Sequence, residues 1–158
     1  MKRVRRRALP TREQLRIWRN YVETAEVVRL RLAGRLQSET SLSSGDYVVL
    51  LALSEAEGQT LRSSVLAARI EWERSRLSHH LGRMEKRGLL RRVPCADDVH
   101  GIDVVMTEVG AETFHAATVP HLKAVREMFA DALTDDQLSH LDEATQALRR
   151  HLALDPRD

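Results

Sequence analysis

Arg83 and Lys86 sit three residues apart in the stretch RLSHHLGRMEKRGLLRRV, residues 76–93, and a helical wheel places other short or cationic side chains beside them. Counting about 100° per residue from Leu77, the set Ser75, His79, Gly82, Arg83 and Lys86 falls between about 140° and 240°, with Ser78 at its edge near about 100°. Leu81 at about 40° and Met84 at about −20° share the face of Leu77, so one side is apolar and the other short, polar and positive. An α-helix fits the major groove of B-DNA. There, short polar residues allow close approach, and Arg or Lys donates to guanine edges or to phosphates. The chemistry these residues suit is recognition of double-stranded DNA.

That helix needs a stop and a support, and the sequence supplies both. Gly88 is placed to end it in a left-handed conformation, with Leu89 packing back. Leu90 to Pro94 and Ile102 to Met106 are β-prone runs joined by Cys-Ala-Asp-Asp-Val-His-Gly, which predicts a hairpin. Upstream, Ser43-Ser44-Gly45 opens a helix over Asp46 to about Ala56. Glu57-Gly58-Gln59 reads as a turn, and Ser63 or Ser64 as the cap of a short helix carrying Val65, Leu66, Ala67 and Ile70. Helix, helix, hairpin is the order of a winged helix-turn-helix.

Flanking this unit, Thr11-Arg-Glu-Gln14 matches a capping box and predicts one long helix to about Gln37. Its stripe of Leu15, Trp18, Val22, Ala25, Val28, Leu32 and Leu36 is supplemented off-stripe by Ile17, Tyr21 and Leu30, as for a helix with two partners. Thr107 caps another helix, which Pro120 should kink or interrupt before it resumes through Phe129. Thr134-Asp-Asp-Gln137 is a further capping box, opening a last helix with Leu138, Leu141, Leu148 and Leu152. The expected fold is mainly α with a small β-hairpin wing in one compact unit. It comprises a basic tail over 1–10, a winged helix-turn-helix over 43–107, and dimerisation helices over 11–38 and 108–153.

Composition narrows the function. The 158 residues are about one domain, and a single cysteine, Cys95, excludes an internal disulfide and a cysteine-based zinc site. No apolar run approaches the ~20 residues needed to cross a bilayer, and MKRVRRR is followed by Ala8-Leu9-Pro10 instead of a secretory apolar segment, so no membrane and a cytoplasmic location are expected. The net charge of +2 conceals an asymmetry: residues 59–94 carry nine Lys/Arg against three Asp/Glu, whereas residues 108–158 carry five against ten. The middle of the chain is built to meet a polyanion. Glycine-rich phosphate loops, nucleophile elbows and metal motifs are lacking, so neither an enzyme nor a cofactor is expected.

The motif Arg74-Ser75-Arg76-Leu77-Ser78, followed by Leu81-Gly82-Arg83-Met84-Glu85-Lys86-Arg87-Gly88-Leu89, by Asp97-Asp98 with Gly101, and by Met106-Thr107-Glu108-Val109-Gly110, resembles the MarR family of bacterial transcriptional regulators. The likeness spans nearly the whole chain. It implies a homodimer with intertwined first and last helices, each subunit reading half of a pseudo-palindromic operator, and a repressor that a small ligand releases. The DNA-contacting residues it implies are Arg74, Ser75, Arg76, Ser78, His79, Arg83, Lys86, Arg92 and His100. His100 stands where the family's wing usually places an arginine for the minor groove, and Glu73 stands where a serine often precedes the recognition helix. Trp18, Tyr21 and Tyr47 are candidates to line a pocket for a small aromatic or anionic ligand, although aromatics at helical spacing are also ordinary core.

Two other readings compete. A sequence-tolerant architectural DNA-binding protein would keep the basic face without operator preference. A metal- or redox-responsive regulator would use the seven histidines or Cys95, yet no histidine has ligand spacing with acidic or cysteine partners, and peroxide-sensing family members carry their cysteine near the start of the first helix. Lys2, Arg3, Arg5, Arg6 and Arg7 read as a solubilising tail that, touching DNA, would add affinity without specificity.

Overall fold

The computed structural model describes residues 9–95 and 98–154, and of Val99 and His100 only the backbone. Residues 1–8 of the basic tail, Asp97 and the side chain of His100 therefore lie outside the described residues. Among the described residues, no helix is long and apolar enough to cross a membrane.

Helix α1 (Arg12–Glu39) begins where its capping box predicts: the Thr11 hydroxyl accepts from Gln14 N at 3.1 Å while Gln14 Oε1 accepts from Thr11 N at 2.8 Å. It runs two residues past the expected end, to where the Thr40 hydroxyl donates to the Leu36 carbonyl and closes the last turn. Helix α2 (Ser44–Ser54) has the same device, Ser43 with Asp46, so it starts earlier than the apolar pattern suggests.

A short strand, β1 (Thr60–Arg62), follows a single 3-10 turn and precedes α3 (Ser63–Arg69). The sequence reading did not include this strand. It pairs antiparallel with β3, Leu61 opposite Val104. The pairing holds Arg62 extended as the N-cap of α3, without a side-chain cap bond, so the helix starts directly at Ser63 and neither Ser63 nor Ser64 caps it. After α4 (Arg74–Lys86), β2 (Leu90–Cys95) and β3 (Asp98–Met106) form the predicted hairpin, completing a sheet of order β1-β3-β2.

Helix α5 (Glu108–Met128) is capped by Thr107, whose hydroxyl accepts from Gly110 N, and it continues through Pro120 without interruption. Proline removes its own N–H from the ladder and its ring crowds the carbonyl four residues back, but the turns on either side keep the helix continuous. A 3-10 turn leads to α6 (Asp135–His151), capped by Thr134 with Gln137.

The core lies inside the middle of the chain. Leu42, Leu50, Leu53, Leu66, Leu90 and Val104 are fully buried between α2, α3 and the sheet. The two end helices differ sharply: Leu36 is the only buried residue of α1, and α6 has none. Ile17, Trp18 and Leu30 on α1, Val119 and Leu122 on α5, and Leu148 and Leu152 near the C-terminus all stand exposed on this chain.

Candidate nucleic-acid interface

Helix α4 is anchored from behind. Leu77, Leu81 and Met84 are 0–1% exposed, so the helix can neither roll nor slide without opening the core. Ser75, Ser78, His79, Arg83 and Lys86 on the other side are exposed, as the wheel predicts, and so are Arg74 and Arg76 on the flanks of the helix. Glu73 is the N-cap by backbone geometry, without a side-chain cap bond.

The helix end is clasped to the start of α5. Gly88 takes φ +74°, and Leu89 N returns to the Met84 carbonyl at 3.1 Å. The Thr107 hydroxyl donates to the Gly88 carbonyl at 2.5 Å, and Thr107 N donates to the Leu89 carbonyl at 3.2 Å. The α4 terminus, the first strand of the wing and the cap of α5 therefore move as one piece.

The cationic face is braced by contacts that the sequence reading missed. The Arg76 guanidinium lies 4.1 Å from the centre of the Trp72 ring, and the Trp72 ring meets His80 edge-on at 5.2 Å. Asp46, 3% exposed and the only buried charged side chain among the described residues, receives Arg87 Nη1 at 2.7 Å and lies 3.0 Å from His80 Nε2. The latter is close enough for electrostatic attraction, although off the axis of a well-formed hydrogen bond. Burial alone would raise the Asp46 carboxyl, but the attraction of His80 and the hydrogen bonds with Arg87 and Ser43 outweigh it and hold the group well below the usual carboxylate range. Arg87 also donates to the Ser41 carbonyl at 2.5 Å, tying the end of α4 to the loop before α2.

Arg83 and Arg92, both expected at the interface, are held by neighbours. Arg83 Nη2 lies 2.8 Å from His80 Nδ1. Arg92 gives its backbone N–H and two guanidinium nitrogens to Glu85, at 2.7–2.9 Å, and this pairing lowers the Glu85 carboxyl from its ordinary value. Arg92 therefore braces α4 against β2, with less freedom to reach outward than Lys86.

The three ligand candidates separate. Trp18 and Tyr21 are exposed and pair with each other at 6.5 Å, while Tyr47 is buried against Phe114 at 5.2 Å and His121 at 4.4 Å. In the single chain they do not line one cavity, because helical spacing fixes neighbours along an element and not which side of it becomes core. An open groove of about 500 Å³ lies instead between the end of α1 and α4, lined among others by Gln37, Ser41, Arg83 and Arg87. Cys95 is partly buried, with Arg62 Nη2 at 2.9 Å from its sulfur. Among the described residues no three His, Cys, Asp or Glu side chains group as a metal site.

One sign of the buried bracing was present in the sequence: His80 falls at about −60° from Leu77, beside Met84 and away from the exposed arc. Its partner Asp46 is distant in sequence and reads locally only as a helix start.

This geometry has close counterparts. A family model described as MarR family matches residues 40–98. AbsC, a MarR family transcriptional regulator from Streptomyces coelicolor, is 36% identical over 92% of this chain and 97% of its own, with a TM-score of 0.85. Sco3205, a MarR family transcriptional regulator from the same organism solved in complex with DNA, is 32% identical over 94% of this chain and 92% of its own, with a TM-score of 0.88. A mutant of MarR from E. coli complexed with operator DNA shares the fold, at 18% identity, a TM-score of 0.76, and coverage of 86% of this chain and 95% of its own. None of the curated proteins matches. With its winged helix-turn-helix and two relatives above 30% identity along nearly the full length, the chain belongs to the MarR family of transcriptional regulators, which are not enzymes.

Proposed function

We propose that this protein is a homodimeric repressor that binds a pseudo-palindromic operator in double-stranded DNA, with one α4 in the major groove per subunit. The observation that carries the reading is a helix with its apolar face locked in the core and with Arg83 and Lys86 on the opposite face and Arg74 and Arg76 on its flanks exposed. Arg83 is assigned to base edges, and Lys86 and Arg74 to phosphates, with Ser75, Ser78 and His79 permitting close approach. The complex of Sco3205 with DNA supports the assignment of partner. Release by a small aromatic or anionic ligand completes the proposal, with Trp18 and Tyr21 as its exposed aromatic candidates.

Two measurements test it. Against a selected site and random duplex at fixed salt, Arg83→Ala should weaken specific binding by on the order of 1–3 kcal/mol, and Lys86→Ala should weaken both duplexes alike. Unchanged binding in both variants, with circular dichroism intact, removes α4 from the interface and the proposal with it. An architectural protein would instead bind both duplexes equally before any substitution.

The dimer rests on the uncovered apolar side chains of α1 and the C-terminal helices, more than a lone subunit leaves in water. Sedimentation at micromolar concentration should give twice the 18.0 kDa chain mass. A stable folded species at the single-chain mass would rule the dimer out.

A further inference from the structure

We infer that His80 is a positioning residue for DNA recognition, held by the buried Asp46 of α2 and holding in turn the guanidinium of Arg83 on α4. The inference rests on the reading of Arg83 as a base-contacting residue and adds a residue to it that does not itself face DNA.

The chemistry of the three groups fixes the direction of each contact. A guanidinium has five N–H donors and no acceptor, so at 2.8 Å His80 Nδ1 must accept from Arg83. A neutral imidazole accepting at Nδ1 carries its proton on Nε2, the atom that faces Asp46 Oδ1 at 3.0 Å. The negative charge of the carboxylate, this close to Nε2, favours the tautomer that Arg83 needs. Asp46 is itself fixed by the α2 capping box and by Arg87.

The ring has little freedom to do otherwise. Its side chain is 12% exposed, with the edge of Trp72 on one flank. On another is Gly45, where a Cβ would stand 2.8 Å from His80 Cε1 and 3.0 Å from Trp72. Glycine at 45 lets the start of α2 approach closely enough for Asp46 to reach the ring. The contact occupies one nitrogen of Arg83 and restricts a long, flexible side chain, leaving its other donors for a base edge. Preorganisation of this kind reduces the ordering cost of binding.

The test is a double-mutant cycle on the full-length protein, read by affinity for the selected site and for random duplex at fixed salt. His80→Phe keeps a ring against Trp72 and removes both nitrogens. His80→Gln restores one acceptor and one donor. We expect His80→Phe to weaken the selected site roughly 3- to 10-fold, to change random duplex little, and to add nothing in an Arg83→Ala background. His80→Gln should recover most of the loss. Circular dichroism and sedimentation of each variant confirm that the fold and assembly compared are the same. If Arg83→Ala weakens specific binding while His80→Phe does not, or if the two losses add, His80 does not act through Arg83 and the inference fails with the interface reading intact. If Arg83→Ala itself has no effect, the interface reading falls, and this inference with it. Equal loss on both duplexes would mark His80 as a structural residue and also overturn it.

Discussion

Gly110→Ala is expected to destabilise the protein by on the order of 1–3 kcal/mol or more, although alanine is the better helix former. Gly110 is in the first turn of α5, and a Cβ there would stand 1.9 Å from the Leu89 carbonyl oxygen and 2.9 Å from its carbon. Those are backbone atoms, which cannot swing aside as a side chain does. Leu89 is held on both sides, its N–H by the Met84 carbonyl and its oxygen by Thr107 N. Relief therefore requires α5 to lift from the junction of α4 and β2. The propensity gain of about 1 kcal/mol from removing a helical glycine is smaller than that displacement costs. In urea or thermal unfolding the variant should lose several degrees, about 2–4 °C for each kcal/mol in a chain of this size. DNA affinity should fall with it, because the same junction orients α4. A variant as stable as the wild type would show that α5 does not pack against Leu89 as described.

What was legible in the sequence follows the range of the interactions concerned. The capping boxes at Thr11 and Thr134 and the left-handed stop at Gly88 are local, with donor and acceptor within a few residues, so spacing alone locates them. The buried stripe of α4 was equally plain, because Leu77, Leu81 and Met84 repeat at the helical period and nothing competes. β1 was not legible. Three residues are too few to show alternation, and Thr60–Arg62 becomes a strand only because Val104 and its neighbours offer an open edge much later in the chain. The bracing of the interface escaped for the same reason. Asp46, His80 and Arg87 come from two helices and the turn after α4, and each has an ordinary local reading as cap, polar face or helix end. Arg92 counted as a basic residue in the charge reading, whereas its pairing with Glu85 joins a helix to a strand. Net charge singles out the middle of the chain as the candidate surface, but pairing decides which of its cations remain free to reach a partner.

The acid sensitivity of the fold should concentrate at Asp46. Its carboxyl is held well below the usual range in the folded protein, since contacts from His80, Arg87 and Ser43 overcome the burial that would raise it. A depressed folded value means that stability is gained while the group is ionised. The contribution is complete above the unfolded value of about 3.9 and drains away as pH falls below it toward the folded one. Asp46→Asn preserves the shape and removes the charge. It leaves Arg87 with a weaker acceptor and His80 without its anionic partner, so at pH 7 it should cost on the order of 1.5–3 kcal/mol, as for buried hydrogen bonds to a charged group. Between pH 7 and pH 5 the difference from wild type should be nearly constant. Below about pH 4 it should shrink, because the unfolded wild-type chain takes up a proton at Asp46 that the folded protein does not bind, which favours unfolding of the wild type but not of the amide variant. Glu85 and Glu127 are also lowered by arginine partners and add their own acid dependence, so the wild-type curve alone does not isolate Asp46. The difference between wild type and Asp46→Asn does, because both proteins carry those glutamates. Urea unfolding at pH 7, 5, 4 and 3 supplies the comparison. A difference that stays the same from pH 7 to pH 3 would mean that the Asp46 charge does not bind α2 to α4, and that capping alone accounts for its place in the core.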